Sequence, residues 1–214
     1  MDGSQQDIWN KIAETWSKFR KKAPEDSVEF LKEKKGKILD LGCGSGRNII
    51  ANSNIIYYGV DFSENMLKYA EQEAKNKKIN AVFFKADIGV EKLPFEKDFF
   101  DSAVFISALH CIETAEKREN ALKELYRVLK KDAEAMITVW DRASNKYFAK
   151  TNAKEGFLKW REGKYDRYYY FYDKEELEEI LKRAGFRNIK IKHQIFALKE
   201  SRHSKKNLIF YAKK

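Results

Sequence analysis

The sequence predicts an α/β fold: a mostly parallel sheet wound on both faces by helices and closed by a terminal antiparallel hairpin. Three observations carry this expectation. Short apolar runs alternate with segments of helical spacing through the first two thirds of the chain. The first of those runs enters a glycine cluster, as a buried parallel strand does at a ligand-binding turn. The chain then ends on two stretches of period two on either side of a basic segment.

The elements follow in order. Ile8, Trp9, Ile12, Ala13, Trp16 and Phe19 recur at helical spacing, and Val28 with Leu31 mark a second short helix after Pro24. Ile38–Leu41 is the first strand and Ile55–Val60 the second. Ser63 is placed to cap a helix that carries Met66, Leu67, Ala70 and Ala74 on one face. Ala81–Ala86 and Ser102–Ile106 are the third and fourth strands, residues 119–130 a helix, and Ala135–Trp140 the fifth strand. Asp173 with Glu176 reads as a capping box opening a helix that Gly185 ends. Ile189, Ile191 and Ile195 then pair with Leu208 and Phe210 as a hairpin. One domain is expected: N-terminal helices over 1–36, a core over 37–141, an insertion over 142–172 that would cover a substrate, and a C-terminal helix with a basic hairpin over 173–214.

Composition narrows the class. Of 214 residues 43% are hydrophobic, and charges interrupt every apolar run, so no membrane span is expected. The polar N-terminus is no secretory signal, and two distant cysteines, Cys43 and Cys111, argue against a disulfide framework or a Cys-rich zinc site. A cytoplasmic protein holding no metal is the expectation. The net charge of +10 is uneven, with residues 142–214 carrying 20 Lys/Arg against 9 acids, and residues 187–214 nine against one. Such asymmetry suits a polyanionic partner, nucleic acid above all. The alternative is a solvated Lys-rich surface from a biased genome.

The strongest local signal is Asp40-Leu41-Gly42-Cys43-Gly44-Ser45-Gly46, read as strand, glycine turn and helix N-terminus. Nineteen residues past Gly42, at the end of the second strand, stands Asp61, where an acid can take both ribose hydroxyls of an adenosine cofactor. The dinucleotide fingerprint needs a glycine where this chain has Arg47, which disfavours a nicotinamide cofactor.

This pattern resembles the S-adenosylmethionine (SAM)-dependent methyltransferases of class I, whose first motif is D-x-G-x-G-x-G. Asp61-Phe62-Ser63 matches the D-x-S after their second strand, Ala86-Asp87-Ile88 their acid beside adenine, and Leu93-Pro94-Phe95 with Phe100-Asp101 their run into strand four. The resemblance implies SAM as cofactor on a Rossmann-like methyltransferase sheet. It assigns the cofactor site to Arg20, Asp40, Gly42, Cys43, Gly44, Gly46, Asp61, Phe62, Met66, Asp87, Ile88 and Ser107.

Three further blocks are similar to the tRNA wobble-uridine methyltransferases that esterify 5-carboxymethyluridine. They are Asp7–Arg20, with Trp9 and Trp16 for Tyr and Phe; Ile106–Cys111, with Cys111 for a second His; and Arg167–Tyr172 followed by Glu175–Glu179, with Tyr170 for a His. That likeness implies tRNA, held by its anticodon stem-loop, as substrate and partner, and a small zinc-binding activator protein as a heterodimer partner. The catalytic candidates are Arg20, His110 and Arg167. The substrate-binding candidates are Trp9, Asn10, Trp16, His110, Trp140, Arg142, Arg167, Tyr168, Tyr169 and Tyr170, with some of the five aromatics 168–172 turned outward to stack on bases. A carboxylate nucleophile is already ionised at pH 7, so no general base is required. Arg20 and Arg167 are expected to position it. Two other readings share the glycine loop: a methyltransferase for a small metabolite, which would leave the basic third idle, and a silent RNA-binding subunit, which would not need Asp61.

Overall fold

A computed structural model describes residues 3–143, 153–160, 163–195 and 206–214. Two N-terminal helices, α1 (Gln5–Phe19) and α2 (Glu25–Lys32), precede β1 (Gly36–Leu41) and β2 (Ile55–Asp61). Next come α3 (Glu64–Lys77), β3 (Ala81–Lys85), β4 (Phe100–Ile106), a single 3-10 turn Leu109–Cys111, α4 (Ala115–Val128) and β5 (Leu129–Trp140). A short hairpin, β6 (Glu155–Trp160) and β7 (Tyr165–Tyr170), stands apart as its own two-stranded sheet. Helix α5 (Lys174–Arg183), β8 (Arg187–Ile195) and β9 (Lys206–Lys213) complete the chain.

The main sheet has the order β3-β2-β1-β4-β5-β9-β8, with β1 to β5 parallel and β9 antiparallel to both its neighbours. Period two sorts its side chains. Leu39, Leu41, Val60 and Phe105 face the cluster shared with α4 and α5, while Ile38, Val104 and Ile106 face Phe30 and Leu31 of α2. Each of these fully buried aliphatic or aromatic side chains contributes about 1.5–3 kcal/mol relative to exposure. Burial on both faces explains why the strands read as apolar runs and not as alternation.

Helix starts follow local chemistry. Ser4 and Asp7 form a capping box at α1, and the Ser63 hydroxyl accepts the Met66 N–H at 3.2 Å to open α3. Gly185 ends α5 at φ +105°. No described helix is long and apolar enough to cross a membrane.

Three expectations are corrected. The glycine loop does not enter a helix: residues 42–54 run as turns directly into β2. Gly42, Gly44 and Gly46 all hold positive φ, and Asn48, Ile49, Ile50, Asn52, Ser53 and Asn54 are weak helix formers, so nothing propagates one. Asp173 stands at the α5 N-cap position but makes no capping bond. Its carboxylate accepts instead from Arg142 Nη1 at 2.9 Å. The aromatic run 168–172 turns no ring outward, since all five are buried. Arg161, His203 and residues 199–205 lie outside the described residues.

Candidate active site

Strand β1 lies between β2 and β4, so the chain leaves it in opposite directions on its two sides and opens a crevice at the carboxyl ends of these strands. The glycine loop rims that crevice. Gly42 and Cys43 donate to the Val60 carbonyl at 2.8 and 3.0 Å, and Gly44 donates to Asp61 Oδ2 at 2.8 Å. Asp61 Oδ1 accepts from the Ser63 N–H at 2.9 Å. The Phe62 N–H also bonds this carboxylate, so the backbone fixes its orientation at the rim of the crevice, where it can meet ribose hydroxyls. Burial pushes Asp61 up to about 6. Gly44 borders open space: a Cβ built there meets no atom within 4 Å, whereas one on Gly42 would strike Ala108 and one on Gly46 would lie 2.9 Å from Ala70 Cα. The loop therefore has a packed side and an open side, and the open side fits an adenosyl cofactor.

Asp40 works behind the loop. It is fully buried, accepts from Asn48 Nδ2 at 3.1 Å and from the Tyr57 hydroxyl, and burial raises it to about 6. Cys43 is buried, as is Met66, which packs with Trp9 and Trp160. Phe62 offers its carbonyl to Gln6 Nε2 at 2.7 Å. Asp87 is half-exposed at the end of β3, raised by partial burial against the pull of Lys117, and Ile88 packs on the core beside it. Ser107 closes β4 at φ +56°, its N–H held by the Thr138 carbonyl and hydroxyl at 3.0 Å each. A non-glycine residue in that conformation at a strand end marks a constrained site.

The other wall is basic and aromatic. Arg167, only 7% exposed, projects from β7 into a cage of indole and phenol rings: its guanidinium carbon lies 4.8 Å from the Trp160 centroid, 5.1 Å from Tyr169, 5.6 Å from Trp16 and 5.8 Å from Trp9. It also donates to the Tyr169 hydroxyl. Arg20, at the C-terminal end of α1, sits 5.5 Å over the same Trp16 ring. His110 is 1% exposed and stacks 5.1 Å from Trp140 and 5.7 Å from Tyr169, which themselves stack at 4.4 Å. Burial first, then the charges of Arg47, Arg20 and Arg167, lower His110 to about 3, so the imidazole is neutral at physiological pH. Three buried polar atoms here lack partners: Arg20 Nε, Arg167 Nε and His110 Nδ1. No carboxylate among the described residues lies within 4 Å of Arg20, Arg47 or Arg167. Buried cations normally carry a counter-ion, so the arrangement is built for an anion that the chain does not supply.

The pleat explains which sequence candidates come together. Arg167 and Tyr169 share one face of β7 with Trp9, Trp16, Trp140 and His110 beyond it. Tyr168 and Tyr170 take the opposite face, where their hydroxyls are engaged within the chain. The Tyr168 hydroxyl donates to Glu155 at 2.5 Å and accepts from Arg118, and Tyr170 bonds Glu176 beneath the same Arg118 guanidinium. Asn10 is engaged likewise: its amide oxygen accepts from Ser63 Oγ at 2.7 Å and from the Asn65 N–H at 3.2 Å, fastening α1 to α3. Arg142 is held by Asp173. The sequence reading missed Arg47, which burial and Arg20 lower to about 10. Its signal was present, a cation directly after the third glycine of the loop.

Comparison with known proteins fits this geometry. Residues 38–132 match the family described as "Methyltransferase domain". The tRNA (carboxymethyluridine(34)-5-O)-methyltransferase of Arabidopsis thaliana is 31% identical over 62% of this chain and 28% of its own length. The chain spans only 19–31% of the first curated relatives it matches. Uncharacterized protein MJ1123 of Methanocaldococcus jannaschii is 31% identical over 88% of this chain and 85% of its own length. Among solved structures, the Haemonchus contortus phosphoethanolamine N-methyltransferase 2 in complex with S-adenosyl-L-methionine superposes with a TM-score of 0.73, at 17% identity, over 99% of this chain and 60% of that one, and so shares the fold. With the loop, the acid after β2 and the sheet order all in register, the chain belongs to the class I SAM-dependent methyltransferases.

Proposed function

We propose that this enzyme methylates tRNA, and that the acceptor is the carboxylate of a 5-carboxymethyl group on the wobble uridine of the anticodon. The observation that carries the reading is the cluster of three guanidiniums without a counter-ion beside a neutral histidine. Relatives named for carboxymethyluridine methylation support it, as does the basic C-terminal third.

When bound, SAM supplies an electrophilic methyl group on a sulfonium. The substrate carboxylate, ionised near a reference pKa of ~4, is its own nucleophile, and what remains for the chain is alignment and exclusion of water. Arg167, preorganised by its cage, holds one carboxylate oxygen with a charge-assisted bond, and Arg20 approaches from the α1 side. His110 Nδ1 is free to bond the substrate without taking a proton. The Trp140–Tyr169 stack forms a dry wall. Phe19, 52% exposed beside Arg20, offers a stacking surface at the rim. Basic residues of the C-terminal third grip phosphates, so affinity for tRNA falls steeply with salt. A small zinc-binding activator would meet exposed apolar side chains in Val82 on the edge strand β3 and Val90 beyond it.

The test is transfer of tritium from labelled SAM to total tRNA lacking the wobble methyl ester, with and without the activator, followed by nucleoside chromatography. Alkali-labile label on a wobble uridine is the expected result. Absence of label in both conditions, with SAM binding intact, would move the acceptor to a small carboxylate and overturn the tRNA reading.

A further inference from the structure

Arg167 belongs to the β6–β7 hairpin, but α1 holds it in place. The buried Gln5 of α1 clasps the strand on either side of it, donating to the Asp166 carbonyl at 3.2 Å and accepting the Tyr168 N–H at 2.9 Å. At the head of the side chain the nearest ring is Trp160, 4.8 Å from the guanidinium carbon. The Trp160 indole N–H donates to Thr15 Oγ1 at 2.9 Å, and the Thr15 hydroxyl donates in turn to the Ile12 carbonyl at 3.0 Å. Thr15 is otherwise exposed, so the bond that fixes the indole sits at the rim of the crevice. The donors of the guanidinium are unequally used. Nη1 donates to the Tyr169 hydroxyl, Nε is buried without a partner, and Nη2 makes no hydrogen bond or ion pair among the described residues. The N–H groups of Nε and Nη2 lie parallel on one edge of the guanidinium plane, the fork that matches the two oxygens of a carboxylate. Rings hold a cation without neutralising it, so that edge keeps its charge.

We infer that Trp160, oriented by Thr15, is a positioning residue for Arg167, and that Arg167 takes the acceptor carboxylate side-on through Nε and Nη2. The inference rests on the carboxylate acceptor proposed above and adds how it is recognised: by a fork of fixed direction, not by charge alone. Thr15 acts on the carboxylate only through the indole and the guanidinium. Freed of its bond to Thr15, the indole no longer fixes the plane of the guanidinium, and a two-point contact gives way to a single one.

The test uses two anticodon stem-loops, one with a 5-carboxymethyl and one with a neutral 5-carbamoylmethyl wobble uridine, each bound in the presence of S-adenosylhomocysteine. The quantity read is the ratio of their affinities. Thr15→Val keeps the shape of the side chain and removes the acceptor for the indole N–H. It should lower the ratio about 5-fold, the size of one neutral hydrogen bond, with carbamoylmethyl affinity and melting temperature unchanged. Thr15→Ser should restore the ratio. Arg167→Lys keeps the charge without the fork and should lower the ratio on the order of 10-fold. A Thr15→Val variant that weakens both stem-loops equally, or neither, overturns the positioning role. Retention of the full ratio by Arg167→Lys overturns side-on recognition. Equal affinity of the wild type for the two stem-loops overturns the acceptor reading and this inference with it, a failure distinguished from the others because it precedes any substitution.

Discussion

The two halves of the crevice treat charge in opposite ways. On the glycine-loop side, Asp40 and Asp61 are buried but answered within the chain: the first by Asn48 and Tyr57, the second by the N–H groups of Gly44 and Ser63. On the side built by α1 and the hairpin, Arg20, Arg167 and His110 keep orphaned nitrogens and have no acid within reach among the described residues. A satisfied polar network fixes a shape, whereas an unsatisfied one is costly unless a ligand completes it. The difference teaches that the acids belong to a preformed frame, whereas the guanidiniums, Arg47 on the glycine loop included, are finished by anions from outside the chain.

The sharpest way to break this comparison is Arg167→Gln. Removing the partner of a buried carboxylate costs about 3 kcal/mol, so kcat/KM for tRNA bearing the carboxymethyl group should fall on the order of 100-fold while SAM affinity holds. Steady-state kinetics beside cofactor titration reads both. An equal loss in both quantities would mean that the hairpin supports the whole crevice and not the acceptor alone.

The glycine loop gives the complementary test. Gly46→Ala places a methyl 2.9 Å from Ala70 Cα at φ +79°, so backbone strain and overpacking together cost about 2–4 kcal/mol and lower the melting temperature. Gly44→Ala meets open space at φ +53° and costs about 1 kcal/mol of strain, yet intrudes where the cofactor fits. Thermal unfolding should rank Gly46→Ala as the less stable, and calorimetry should show weakened SAM binding in Gly44→Ala despite its milder unfolding.

How much of this was legible follows from where the information lies. The strands and the Asp40–Gly46 and Asp61 motifs are local, and period and glycine spacing report them directly. The missing helix after the loop was a matter of propensity: three positive-φ glycines and a run of Asn and β-branched residues outweigh the pattern that precedes them. The aromatic run misled because a single strand cannot say what covers its faces. Arg118, buried on α4, claims Tyr168 and Tyr170, while Trp140 and His110 claim Tyr169, and those partners are 29 to 59 residues away. Asn10, a substrate candidate by resemblance, and Arg142, one by its place in the basic insertion, are both engaged within the chain. Their partners, Ser63 and Asp173, are fixed only by the tertiary fold.

Protonation offers a finer contrast between the halves. His110 is depressed to about 3, so the unfolded chain takes up a proton below pH 6.5 that the folded chain refuses, and stability is lost as pH falls through that window. At pH 5 the loss is about 2 kcal/mol from this residue. Asp40 and Asp61, raised to about 6 by burial, act with the opposite sign: the folded chain binds their protons first, and stability is gained as pH falls from 6 towards 3.8. The two effects offset in the wild type, giving a nearly flat profile between pH 7 and 5. His110→Asn should unmask the carboxylates, so that the variant is more stable at pH 5 than at pH 7 in urea titrations. A profile parallel to that of the wild type would contradict the buried neutral imidazole.

The smallest effect separates the two faces of β7. Tyr168→Phe removes a hydroxyl that links Glu155 to Arg118 and should cost about 1–2 kcal/mol of stability with kcat unchanged. Tyr169→Phe removes the hydroxyl that Arg167 donates to, so it should alter the KM for the acceptor while leaving the melting temperature within a few degrees. Exchange of these outcomes would reverse the assignment of faces.

The most direct measurement uses two synthetic anticodon stem-loops that differ at one group, a 5-carboxymethyl uridine at the wobble position in one and the neutral 5-carbamoylmethyl uridine in the other. Affinities are measured at fixed salt in the presence of S-adenosylhomocysteine, for the wild type and for Arg167→Gln. The account predicts that the carboxylate form binds the wild type at least 10-fold more tightly and that this preference disappears in the variant. Equal affinity of the wild type for the two stem-loops would contradict it.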